Sequence, residues 1–388
     1  MNEPIKFGAV VGKLPDRRAI VETPSLVLSN CYVGIELEFE DVPQPENFED
    51  ILYFWKYDVD DSLRGDYPTE LILRHPLAGV DVITALEQIS SAVSSGEMET
   101  PTINERTSTH VHIDVRDLSG KQLLRFLLLS FMCEEFLQNF CADYRRNNLY
   151  CIPAYNCGDL RDRASCSIPV TGDLSDDFLP HALHSVASRY RKYSGINFRT
   201  AASYGSLEFR HLEATYDKDR LLLWINLLQS LKKFAMLNEI PLERFPETIS
   251  NSGPMGFIRE IFGELYEPLM SATPEDVRIA TLYRGLRTAQ EVVYGHALDI
   301  AHHRVVSGEV LNPQWVEDFG ETKTRRASQS MVASIGGVQR SYIKNFLGLE
   351  VDDVEEEPSP FMNPKATVPS SLHFDLEVPS ELSYEQGE

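Results

Sequence analysis

The sequence lacks the common short signatures for nucleotide and acyl chemistry. It has no Gly-x-x-x-x-Gly-Lys-[Ser/Thr] loop and no Gly-x-Gly-x-x-Gly turn, so a bound nucleotide must be held in another way. A Gly-x-Ser-x-Gly elbow is missing too, which removes the simplest route to a serine nucleophile. Positive charge is scarce. Against 59 Asp and Glu stand 36 Lys and Arg, a net charge of −23, which excludes broad electrostatic attachment to nucleic acid or to an anionic membrane. Apolar runs are short: the longest, Leu123 to Cys133, is interrupted by Arg125 and closed by Glu134-Glu135. Met1 to Lys6 shows no basic region leading into an apolar one, so no secretory signal is expected. The six cysteines (31, 133, 141, 151, 157 and 166) form no paired framework. Free thiols in a cytoplasmic protein are the expectation.

What the chain does have is carboxylate on alternating positions. In Gly34-Ile35-Glu36-Leu37-Glu38-Phe39-Glu40 a β-strand would send Ile35, Leu37 and Phe39 into a core and set Glu36, Glu38 and Glu40 side by side on the other face. Such a face needs water or divalent cations to offset its repulsion. The same alternation recurs in Thr109-His110-Val111-His112-Ile113-Asp114-Val115, with His110, His112 and Asp114 together, and in Ser206-Leu207-Glu208-Phe209-Arg210, with Glu208 and Arg210 together. Glu70 belongs to a further strand, Glu70 to Leu73, reached through the acidic segment Asp58 to Ser62. One such strand would be a solvated sheet face. Four in one antiparallel sheet would make an acidic floor bearing imidazole and guanidinium, suited to cations that bridge phosphate oxygens.

The remaining pattern is helical. Val82–Val93, Lys121 to about Arg145 (capped by Ser119), Asp177–Arg189 and the stretch from Asp217 through Met236 carry helical spacing, whereas residues 5–33 read as short strands and turns. Residues 1–240 thus form an expected α+β catalytic domain. Segments 253–270, 274–306 and 323–347 read as an appended helical region over 241–350, and the acidic, proline-bearing stretch 351–388 as a disordered tail.

Two chemistries fit these residues. A His110-x-His112 strand is a zinc-hydrolase spacing, and Cys157, Cys166, His181 and His184 are a second, irregular zinc set; the carboxylate-rich floor instead favours Mg²⁺ or Mn²⁺. Arg189, Arg191 and Arg210 could clamp phosphate or pair with spare acids. A binding protein that keeps the fold without catalysis is the third alternative.

The ordered set Gly34–Phe39, Trp55 with Asp60-Asp61-Ser62-Leu63, Glu70, His110–Asp114, Arg189–Asn197 and Gly205–Arg210 resembles the amidoligase family, grouped with glutamine synthetase and glutamate–cysteine ligase as carboxylate–amine ligases. The resemblance spans roughly residues 30–235. It implies a curved antiparallel sheet backed by helices, a glutamine-synthetase-like core with ATP and Mg²⁺ on its concave face. Carried over, Glu36, Glu38 and Glu208 are metal ligands, His110 lies near a metal and His112 near the nucleotide, and Arg210 contacts the γ-phosphate. Arg189 and Asn197 fall in the substrate and phosphate segment, and Glu70 on the second acidic strand. Arg106-Thr107-Ser108-Thr109 departs from the Cys-Gly-like pair expected ahead of the histidines. The implied reaction joins a small-molecule or peptide carboxylate to an amine through an acyl phosphate, with Glu70 or Asp61 as general-base candidates.

Overall fold

The computed structural model describes residues 3–12, 21–146, 148–156, 179–188, 190, 194–240 and 244–294, with side chains to 289. All lie in one compact unit, Met1–Val316. Six strands, β1 (Val33–Phe39), β2 (Trp55–Val59), β3 (Thr69–Leu73), β4 (Ser108–Asp114), β5 (Ile196–Asn197) and β6 (Ser206–Glu213), form one sheet in the order β2-β3-β1-β4-β6-β5. Every pairing is antiparallel, and with its helices the fold is α+β.

In chain order the helices are α1 (Phe7–Val11), α2 (Phe48–Ile51), α3 (Val80–Ser95), α4 (Gly120–Phe140), α5 (Leu179–Ala187), α6 (Arg199–Tyr204), α7 (Lys218–Leu237), α8 (Phe245–Ser252), α9 (Pro254–Phe262), α10 (Tyr266–Met270) and α11 (Arg278–Tyr294). α4 and α7 pack together and lie against β6 and β4 respectively; α3 packs on α7, and α11 runs along α4. No described helix is long and apolar enough to cross a membrane.

Alternation sets the two faces of the sheet. Ile35, Leu37, Leu71, Val111, Ile113, Leu207 and Phe209 are buried in the hydrophobic core, and removing one of the leucine side chains would cost about 2–5 kcal/mol. Helix starts follow their caps. Ser119 accepts from the Gln122 backbone while the Gln122 side chain accepts from the Ser119 N–H, a reciprocal box that starts α4; Asp217 accepts from the N–H groups of Asp219 and Arg220 and starts α7. α4 is buried on nearly every side, so its few polar groups need partners. Arg125 donates to the carbonyls of Ala235 and Asn238, closing the C-terminal end of α7.

The structure departs from expectation at two places. Among the described residues of 5–32 the chain forms the short helix α1 and turns and no strand: Lys6 makes a single bridge to Ser119, and Phe7 and Gly8 donate to the carbonyls of Leu118 and Arg116. α4 ends at Phe140, and Arg145 belongs to a separate 3₁₀ turn, Asp143–Arg145. The expected helix 323–347, the tail 351–388, and residues Cys157, Cys166, Arg189 and Arg191 lie outside the described residues. The four described cysteines are free and buried.

Candidate active site

The face of the sheet opposite the helices carries the polar residues, and strand register stacks them in rows. Gly34 pairs with His112, Glu36 with His110, and Glu38 with Glu70; on the flanks Asp58 pairs with Glu70, and His112 with Glu208, which in turn faces Asn197. Alternation keeps Glu208 and Arg210 on this face and sends His211 to the helix side, where its Nε2 lies 3.2 Å from Glu134; a bulge opposite His110 then shifts the register so that Leu212 pairs with Thr109.

Glu36 is the hub. Its Oε2 is 3.0 Å from His110 Nδ1 and its Oε1 3.2 Å from His112 Nε2. Both imidazoles are engaged on their other nitrogen as well, His110 Nε2 with Ser108 Oγ at 2.9 Å and His112 Nδ1 with Ser206 Oγ at 3.0 Å. Ser108 also bonds Glu38. Asn197 donates to Glu208 at 2.6 Å, Arg210 donates to the other oxygen of Glu208, and the Arg210 Nε donates to the Tyr150 carbonyl at 3.1 Å.

Electrostatics follow from this packing. Burial alone would raise the Glu36 pKa, but hydrogen bonds from His110 and His112 hold it well below the usual carboxylate range. Glu208 is likewise buried yet lowered, by His112, Arg210 and His110. Burial works against charge on His112, and Glu36 and Glu208 outweigh it, so its pKa is raised. Arg210 is raised in the same way by Glu208 and Glu38. Glu70 behaves oppositely: burial, then Glu36, Glu38, Asp60 and Asp58, push its carboxyl up to about 8.

Two trios bring ligand atoms within 4.8 Å of one another: Glu36 with His112 and Glu208, and Glu38 with Asp60 and Glu70. The first offers two carboxylates and one imidazole, the second oxygen alone. Both sets suit a hard divalent cation, which takes oxygen ligands and accepts an imidazole.

Of the residues singled out by sequence, Glu36, Glu38, Glu70, His110, His112, Asn197, Glu208 and Arg210 gather on this one face. Asp61 does not join them; it is exposed in the turn after β2, and Asp60 joins the trio instead. Glu40 is taken up structurally, accepting from Arg106 Nε at 2.8 Å and Nη2 at 2.9 Å, and from Asn104. Ser108, Ser206 and Asp60 lie within the sequence motifs but were not singled out there as site residues. Ser108 and Ser206 carry the same alternation as His110 and Glu208, and Asp60 stands two residues beyond Asp58 on β2, so period-two spacing could have found all three.

No curated protein matches the chain. Among solved structures, the crystal structure of a bifunctional glutathione synthetase from Pasteurella multocida is similar at 12% identity and a TM-score of 0.35, over 68% of this chain and 51% of that one. The chain thus spans about half the length of that structure. Over residues 56–232, a span that runs from the second residue of β2 through β6 and begins after the Glu36/Glu38 strand, this chain matches the family described as "Putative amidoligase enzyme", the family its ordered motifs resemble.

Proposed function

We propose that the chain is an ATP-dependent carboxylate–amine ligase that uses Mg²⁺ or Mn²⁺ and forms an amide or isopeptide bond. The observation that carries this reading is the pair of ligand trios sharing one face with the buried Arg210. In this reading residues 1–240 are the catalytic domain, flanked by the helical region 241–350 and the acidic tail 351–388.

Glu36, His112 and Glu208 on one side and Glu38, Asp60 and Glu70 on the other would hold the cations, which would supply neutralisation of phosphate charge. A substrate carboxylate oxygen attacks the γ-phosphorus and the bond to the β-phosphate oxygen breaks, releasing ADP. Arg210 is held by Glu208 and the Tyr150 carbonyl, so its guanidinium is fixed before phosphate arrives and stabilises the charge on the transferring group. The amine then attacks the acyl carbon and phosphate leaves. Its surplus proton needs an acceptor, for which Glu70, when it does not hold a cation, and the exposed Asp61 are the carboxylate candidates. Asn197 acts through Glu208, and Arg189, outside the described residues, keeps the phosphate role that the resemblance implies. A net charge of −23 suits a cationic amine better than an anionic polymer.

Thermal unfolding tests the reading. With Mg²⁺ and ATP at about a hundredfold the dissociation constant, the fold should gain roughly 2.7 kcal/mol, and Glu36→Ala and Glu208→Ala should abolish the gain. Stabilisation by Zn²⁺ alone would favour the hydrolase alternative, and no response to any ligand the binding protein.

A further inference from the structure

Resting on the ligase reading, we infer that Glu134 is a positioning residue that sets Arg210 from behind the sheet, with His211 as its relay. Glu134 belongs to α4, on the helix side, and is fully buried. Its two oxygens reach two separate pieces of chain: Oε1 lies 3.2 Å from His211 Nε2, and Oε2 accepts from the Ala154 N–H at 2.9 Å. Each piece leads to the arginine. His211 follows Arg210 on β6, and the segment that runs to Ala154 supplies the Tyr150 carbonyl, which accepts from Arg210 Nε at 3.1 Å. One carboxylate thus fixes both the strand that carries the guanidinium and the carbonyl that aims it.

The imidazole has little room to move. His211 is buried, and its Nδ1 has no hydrogen-bond partner, so the ring is anchored through Nε2 alone. Gly195 lies directly against that nitrogen: a Cβ there would stand 2.3 Å from Nε2, so the chain passes only because this residue has no side chain. Gly195 is itself part of the frame. Its N–H donates to the Ile152 carbonyl, its carbonyl accepts from the Arg210 N–H, and two residues on Asn197 holds Glu208. A displaced His211 ring would therefore move Arg210 and Asn197 together. A buried carboxylate beside one imidazole is a poor source of net stability, because desolvation offsets the attraction; what it supplies here is a fixed geometry for the phosphate-binding side of β6.

Isothermal titration of the full chain in Mg²⁺ with inorganic tripolyphosphate, at a temperature where each variant is folded by circular dichroism, separates positioning from stability. Glu134→Leu should weaken tripolyphosphate binding about tenfold while Mn²⁺ binding at Glu38, Asp60 and Glu70 stays native. Glu134→Gln, which keeps the volume but offers one acceptor oxygen for two donors, should show a smaller loss and carries the test if Glu134→Leu does not fold. Gly195→Ala should weaken binding as Glu134→Leu does, yet add no loss in a His211→Ala background, where the ring it displaces is gone. Variants that melt earlier but bind tripolyphosphate like the native chain would show a purely structural pair, and additive losses for Gly195 and His211 would remove the relay; in either case the ligase reading stands. Should the native chain bind no tripolyphosphate, the ligase reading fails and this inference falls with it.

Discussion

Glu36 and His110 face each other across β1 and β4, with Oε2 and Nδ1 3.0 Å apart. Both imidazoles are engaged at both nitrogens; His110 is 2% exposed, with Nδ1 also 3.6 Å from Glu208, while His112, on the same strand, completes a ligand trio with Glu36 and Glu208. In the proposed ligase, we assign the more buried His110 as a structural partner of the carboxylates and His112 as the ligand of the first trio.

That division predicts different phenotypes. His112→Ala should weaken Mn²⁺ binding at the first trio at least tenfold. His110→Ala should instead lower stability by about 1–3 kcal/mol, because buried partners lose a hydrogen bond. Metal titration beside chemical denaturation of both variants checks this; the reverse pattern would return His110 to the ligand set.

Asp60 and Asp61 are neighbours in sequence with opposite placements. Asp60→Asn should eliminate cation binding at the second trio, and Asp61→Asn should leave it intact. Equal losses in a Mn²⁺ titration of the two variants would show that the exposed turn takes part in binding.

The Glu40–Arg106 pair gives a pH dependence. Glu40 is held at about 2 by Arg106, with Asn104 and the Arg64 backbone N–H adding to it, below the 4.5 of an unconstrained glutamate. A lowered folded-state value adds stability that is full above about 4.5 and fades as pH falls toward 2. Arg106→Gln should thus be less stable than the native chain at pH 7, with the gap closing on acidification. Urea unfolding at several pH values measures it, and a gap constant from pH 7 to pH 2 would rule the pair out as its source.

Arg145 is fully buried and donates to four carbonyls, those of Arg210 at 2.8 Å, His211 at 3.3 Å, and Glu105 and Thr107 at 3.5 Å each. It clamps the bulge of β6 to the segment entering β4. Arg145→Met should cost about 3 kcal/mol, since those carbonyls would stay buried with fewer donors. Equilibrium denaturation tests this, and a loss under about 1 kcal/mol would mean that water replaces the guanidinium.

How much of this could be read from the sequence depends on the range of the interaction. The acid face of β1, the histidine face of β4 and the Glu208/Arg210 face of β6 are local, period-two patterns, and the caps Ser119 and Asp217 are equally local, so all were legible. Arg145 looked like the end of a helix because its four acceptors come from 38 to 66 residues away and leave no mark on its neighbours. The choice of Asp60 over Asp61 is set by where β2 ends, a matter of one residue. Glu40 looked like a third member of the acidic row, and the approach of the Arg64 N–H, Asn104 and Arg106, from 24 to 66 residues away, removes it.

The most direct test of the metal–nucleotide site is electron paramagnetic resonance of the full chain titrated with Mn²⁺ in the presence of a non-hydrolysable ATP analogue. The account predicts ions at both trios, one lost in Glu36→Ala and the other in Asp60→Asn, with Mn²⁺ and the analogue each tightening the other's binding. Mn²⁺ binding that neither substitution alters, or that the analogue does not affect, would contradict it.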